Sequence, residues 1–102
     1  MIITKIFNEG FKKKYLQENL PNSIFDRIDL SRNLNTPPNV LDKLADDKDN
    51  HVREKVAHNP RTSSQTLDRL ANDSSGYIRW TVAQNPNTSP DTLLKLANDP
   101  DE

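Results

Sequence analysis

The chain has 102 residues, no cysteine, 14 Lys and Arg against 15 Asp and Glu, and a formal charge of −1 at pH 7. That is one small domain at most, without disulfides or thiolate-held metal clusters. Its near-neutral charge predicts no strong general attraction to nucleic acid or anionic membrane, and no apolar run is long enough to span a bilayer. The opening Met1-Ile2-Ile3-Thr4-Lys5 lacks the pattern of a secretory leader, so a soluble cytoplasmic protein is expected.

Residues 1–32 read as an N-terminal cap followed by a degenerate half-repeat. Ile2, Ile3, Ile6, Phe7, Phe11, Tyr15, Leu16 and Leu20 recur at roughly helical steps and predict a helix over residues 9–17. Asn8-Glu9-Gly10 also fits a turn between two short segments. Lys12-Lys13-Lys14 is the one basic run. It lacks the further basic residues and interleaved aromatics of a nucleic-acid face, so a solvated capping helix is the expectation and nucleic-acid binding the alternative. Residues 23–32 keep Arg27 and the apolar Leu30 of the pattern that follows.

From residue 33 the chain repeats itself. Copies begin at Asn33, Asn59 and Asn85, a spacing of about 26 residues that is found in helical solenoids. Residues 33–58 and 59–84 are full copies and 85–102 a partial one. Each first half reads as a short helix, with Leu41, Leu44 and Ala45 recurring as Leu67, Leu70 and Ala71 and as Leu93, Leu96 and Ala97. Thr36, Thr62 and Thr88 are candidate N-caps, Thr62-Ser63-Ser64-Gln65 fits a capping box, and Pro37, Pro38 and Pro90 suit a first turn. Asp46-Asp47, Asn72-Asp73 and Asn98-Asp99 then lead out of that helix. The second half carries Val52, Val56 and Ala57, repeated as Ile78, Val82 and Ala83, and stops at Asn59-Pro60 and Asn85-Pro86. Helices this short are marginal alone, so stacking is required.

The strings Val52-Arg53 with Val56-Ala57-His58-Asn59-Pro60, Ile78-Arg79 with Val82-Ala83-Gln84-Asn85-Pro86, and Leu93-x-x-Leu96-Ala97-Asn98-Asp99-Pro100 resemble the leucine-rich repeat variant family. The resemblance implies an all-α, right-handed superhelical solenoid of paired short helices, one often 3₁₀-like, related in shape to armadillo and HEAT stacks. Some relatives carry a cysteine-rich iron–sulfur module. This chain has no cysteine, so that cofactor is not carried over and none is expected.

On a helical wheel the stems of Arg53 and Arg79 point into the stack, where an arginine needs an anion or carbonyls. Two pairings are open. Arg53 meets Asp47 and Arg79 meets Asp73 within a repeat, or each reaches the next copy: Arg27 to Asp47, Arg53 to Asp73, Arg79 to Asp99. Either makes a structural ladder. Asn59 and Asn85, before prolines, are expected to bond local carbonyls. His51 and His58 are two ligands at most, too few for zinc.

The outward face of the second helices is the candidate protein-interaction surface: His51, Glu54, Lys55 and His58 in one copy, Tyr77, Trp80, Thr81 and Gln84 in the next. With two glycines and no nucleophile motif or phosphate loop, no catalytic residue is assigned and an enzyme is not expected. A noncatalytic protein-interaction or scaffold module of unknown partner is the reading. A nucleic-acid-associated module and an accessory subunit of an enzyme are its alternatives.

Overall fold

A computed structural model of the chain describes residues 20–100. The expected helix over residues 9–17, the basic Lys12–Lys14 run and most of the expected cap lie outside them. Among the described residues there are six helices and no strand: α1 Ile24–Arg32, α2 Pro38–Leu44, α3 Asn50–His58, α4 Ser64–Leu70, α5 Gly76–Gln84 and α6 Pro90–Ala97. Thus each repeat supplies a first helix (α2, α4, α6) and a second helix. α1 is the second helix of the degenerate half-repeat. The first helices are α-helical; their exits tighten to 3₁₀-type bonds, as where Asp46 N–H donates to Lys43 and Asp47 N–H to Leu44, and α2 also opens on one, from Val40 N–H to Pro37.

Their starts differ from the sequence expectation. Pro37, Ser63 and Ser89 are the N-caps, one residue after the threonines. Ser63 Oγ accepts from Thr66 N–H and Ser89 Oγ from Thr92 N–H, so the capping box on Thr62 does not form and Pro37 is a cap rather than first-turn residue. The threonines turn backwards instead. Thr36, Thr62 and Thr88 are buried, and each hydroxyl donates at 2.6 Å to a carbonyl near the end of the preceding second helix: Leu30, Val56 and Val82. A helix end leaves carbonyls without intrahelical donors, and in a buried corner a hydroxyl supplies one.

The second helices pack on one another in one layer, α1 on α3 and α3 on α5, the most extensive helix packing among the described residues. Val52, Val56, Ala57, Ile78 and Val82 face inward against Leu41, Leu44, Leu67 and Leu70. Each valine, leucine or isoleucine among them contributes about 1.5–3 kcal/mol by burial, enough to hold helices that would melt alone.

Polar side chains fix the step between repeats. Asn59 Nδ2 donates to the carbonyls of Ser31 (2.9 Å) and Asn33 (3.0 Å), and Asn85 Nδ2 to those of Ala57 (2.8 Å) and Asn59 (3.0 Å). These carbonyls lie at the C-terminal ends of α1 and α3, one repeat length or slightly more back in the chain, not in the local turn. What is local is the side-chain oxygen, which accepts from the N–H two residues on, at Arg61 and Asn87. The turn consumes the acceptor and leaves both amide protons directed backwards.

Arginines reach the other way. Arg27 Nε lies 2.7 Å from Asp47 Oδ2, Arg53 Nε 2.8 Å from Asp73, and Arg79 Nε 2.5 Å from Asp99. A second guanidinium nitrogen donates within the arginine's own repeat, from Arg53 to the Asp47 carbonyl and from Arg79 to the Asp73 carbonyl. Charge therefore goes to the next copy and a backbone bond stays at home. Asp47 and Asp73 also accept from the N–H of Asp49 and Ser75, which ties each ion pair to the loop launching the next second helix. The arginine side chains keep 14–17% of their exposure, so they lie at the rim of the core rather than within it.

Replacing Asn59 with Ala leaves the buried Ser31 carbonyl without its side-chain donor and takes one of two donors from that of Asn33, which keeps the Thr36 N–H. The expected cost is about 2–3 kcal/mol in denaturant unfolding, and Asn59→Asp, which supplies an acceptor where donors are needed, is expected to lose at least as much.

Candidate interaction surface

The fold sets out its exposed residues in rows, because equivalent positions of successive second helices lie side by side. The second residue of each of these helices is Phe25 in α1, His51 in α3 and Tyr77 in α5. All three stand in solvent, Phe25 at 76%, Tyr77 at 58% and the His51 side chain at 69% exposure. One turn further along α5, Trp80 is 56% exposed and stacks on Tyr77, with ring centroids 5.8 Å apart at 23°. Phe25 escaped the sequence reading, although alignment on Arg27, Arg53 and Arg79 puts it two residues before the arginine, in one column with His51 and Tyr77.

The other expected surface residues divide. His58 and Gln84 are exposed at the ends of α3 and α5. Glu54 and Lys55 are half-buried, their charged ends 3.7 Å apart. Thr81 does not belong to the surface. It is 5% exposed, and its hydroxyl donates to the Tyr77 carbonyl at 2.9 Å. A hydroxyl satisfied by its own helix needs no water, so the residue lies among packed neighbours despite its place on the wheel.

A second row joins the first helices, which make little direct backbone contact with one another. Asp42 Oδ1 accepts from Thr66 Oγ1 at 2.6 Å and from Arg69 at 2.7 Å, while Arg69 also holds Asp46. One repeat on, Asp68 accepts from Thr92 Oγ1 at 2.9 Å and Lys95 at 3.3 Å. The Thr66 hydroxyl, followed by the Arg69 guanidinium, holds the Asp42 carboxyl below the usual carboxylate range; Thr92 and then Lys95 do the same for Asp68. Asp49 is lowered as well, first by the His51 backbone N–H that it caps.

Between α5 and α6, the last described helices, runs an open groove of about 280 Å³ lined by Gly76, Arg79, Trp80, Ala83, Leu96, Ala97 and Asp99. Arg79 is engaged there by Asp99. The surface is therefore a ring-bearing row along one edge that meets an apolar groove at Trp80.

A family profile described as leucine rich repeat variant matches residues 51–75 and 78–101. The two stretches span α3 with α4 and α5 with α6, so each match is one helix out of phase with the copies 33–58 and 59–84 but has the same two-helix content. The chain carries two leucine rich repeat variant repeats, over these residues. No curated protein and no solved structure matches it. These repeats make it a helical repeat module, and none of its described helices is long and apolar enough to cross a membrane.

The lowered Asp42 carboxyl gives a pH dependence of stated sign. A group whose pKa falls on folding stabilises the fold above its unfolded value, near pH 4, and this contribution is lost as pH falls through the lower folded value. Asp42 is half-exposed, so the expected loss for Asp42→Asn is only about 0.5 kcal/mol at pH 7. Urea unfolding of both proteins at pH 7 and near pH 3 checks it: the difference between them should shrink in acid.

Proposed function

We propose that the chain is a noncatalytic protein-interaction module of the cytoplasm, and that the exposed edge of its second helices is where a partner is held. The stacked Tyr77–Trp80 pair carries this reading. Two large rings in solvent, next to each other and next to an apolar groove, have no role in joining repeats: Trp80 stands where the preceding copy has Glu54. Aromatic side chains with little rotamer freedom supply much of the affinity of protein interfaces. Phe25 and His51 extend the same row across three repeats, which suits a partner lying across the stack rather than a small molecule in a cleft.

The test compares stability and capture in one protein. Trp80→Ala is expected to change the unfolding free energy by less than about 1 kcal/mol, because the ring is largely in solvent, while lowering partner retention at least about tenfold. Unchanged retention, measured by quantitative pull-down from cells of the source organism, would overturn the assignment of this edge. A stability loss of several kcal/mol would place Trp80 in the core instead.

A further inference from the structure

The corners that lead from each second helix into the next first helix are one tight turn written three times. Thr36, Thr62 and Thr88 N–H donate to the carbonyls of Asn33, Asn59 and Asn85, which places Leu34-Asn35, Pro60-Arg61 and Pro86-Asn87 at the centres of β-turns. Proline suits the first central place, because its φ is already that of a turn. Pro60 and Pro86 take it and Leu34 does not, although Asn33 before it is extended, at φ −74° and ψ 130°, and so accepts a proline after it. At the second central place Asn87 stitches two corners together, its Nδ2 donating to the carbonyls of Pro60 and, at 3.1 Å, Thr62. Arg61 stands there one copy earlier, and its side chain makes no hydrogen bond or ion pair among the described residues. Leu34 is 62% exposed and Arg61 is exposed as well. The chain therefore gives up a turn former and a cross-corner donor for two side chains that stand in solvent, and such a departure from local fitness marks a place where function is sought.

The two departures fall on one joint. Asn59, by bonding the carbonyls of Ser31 and Asn33, holds the first two corners side by side, so Leu34 and Arg61 share a patch with Arg32 and His58, which are exposed at the ends of α1 and α3. Residues 30–41 and 56–67 contain no Asp or Glu. The carboxylate recorded against this patch is Asp29, 3.9 Å from Arg32 with both side chains mostly in solvent, a contact that holds little. Arg27, Arg53, Arg69 and Arg79 differ, each lying 2.5–2.8 Å from an aspartate of another repeat. The third corner has Gln84 and Asn87 in these places and Asp91 after them, so the cations belong to this joint and not to the repeat as such.

We propose that this joint binds an acidic peptide segment, its carboxylates on Arg32 and Arg61 and an apolar side chain on Leu34, with His58 at the rim. Arginine forks suit carboxylates, and the exposed leucine adds an apolar contact that charge alone does not use. Packed helices lie about 8–10 Å apart, a step that an extended chain crosses in about three residues, so the segment that fits has acidic residues about three apart with an apolar one between them. Two arginines neutralise too few phosphates to hold a nucleic acid at physiological salt, and Leu34 offers a phosphate nothing. The ring-bearing edge lies at the other ends of the same helices, so the two surfaces are separate and either reading can fail without the other.

Fluorescence anisotropy of the full chain tests it, with a labelled peptide of about ten residues in which leucine is flanked by glutamates on both sides. The dissociation constant should be on the order of 10–100 µM at low salt and rise at least about threefold between about 50 and about 300 mM NaCl. Leu34→Pro and Arg61→Asn each restore the residue of a neighbouring copy; each should weaken binding at least about fivefold and melt no lower than wild type. Trp80→Ala should leave this binding unchanged. A wild-type chain that does not bind the peptide, variants that bind it as tightly as wild type, or a single-stranded oligonucleotide of equal charge held as tightly as the peptide would each overturn the proposal. So would a fall in melting temperature in both variants, which would give Leu34 and Arg61 a role in the fold instead.

Discussion

A buried asparagine amide has two protons to place, and in this protein both go to backbone carbonyls at the equivalent helix end about one repeat length back. Asn59 and Asn85 are 2% and 6% exposed, so water cannot substitute for the carbonyls they reach. Because the side-chain oxygen is already held by the N–H two residues on, the amide has one orientation, and that orientation sets where the next repeat begins. The buried threonines close the same corner from the other side. Together they turn an asparagine–proline stop, which ends one helix, into the joint that positions the next pair.

Burial and polar contacts do different work here. Apolar side chains from the second helices supply most of the stabilisation, since several are fully buried at about 1.5–3 kcal/mol each. Burial alone is indifferent to sliding one repeat against another. A shift of one helical step would leave the asparagine donors facing carbon, at about 1–3 kcal/mol for each stranded group, so the polar joint selects one arrangement from many that bury similar area. The Arg–Asp pairs add a second fastening at the rim. The Asp42 and Asp68 row is the weakest of the three, being half-exposed, and its main effect is to link first helices that barely touch. No buried side-chain nitrogen or oxygen among the described residues lacks a partner.

The period, the apolar columns and the arginine–aspartate spacing are all visible in the chain, because stacking demands the same residue at the same place in each copy. Direction was harder to read. Whether Arg53 turns to Asp47 or Asp73 depends on how far one repeat is displaced from the next, a quantity no single repeat contains; the guanidinium in fact uses the backbone of one and the carboxylate of the other. Thr62 looked like a cap since it precedes a helix by a suitable distance, but Ser63 lies one residue closer and the buried carbonyl of Val56 needed a donor. Thr81 fell on the exposed side of an ideal wheel, and only its bond to Tyr77 explains its burial. Phe25 was hidden in a half-repeat that keeps little but its arginine.

The central claim is that contacts between successive repeats, rather than within one, hold the stack together. A double-mutant cycle measures this directly, using Arg53→Ala with Asp73→Asn across the joint and Arg53→Ala with Asp47→Asn within the repeat. The expected coupling in denaturant unfolding is about 1–2 kcal/mol for Arg53 with Asp73 and under about 0.5 kcal/mol for Arg53 with Asp47, whose contribution to the arginine is a backbone carbonyl that the substitution leaves in place. A larger coupling to Asp47 than to Asp73 would contradict the account.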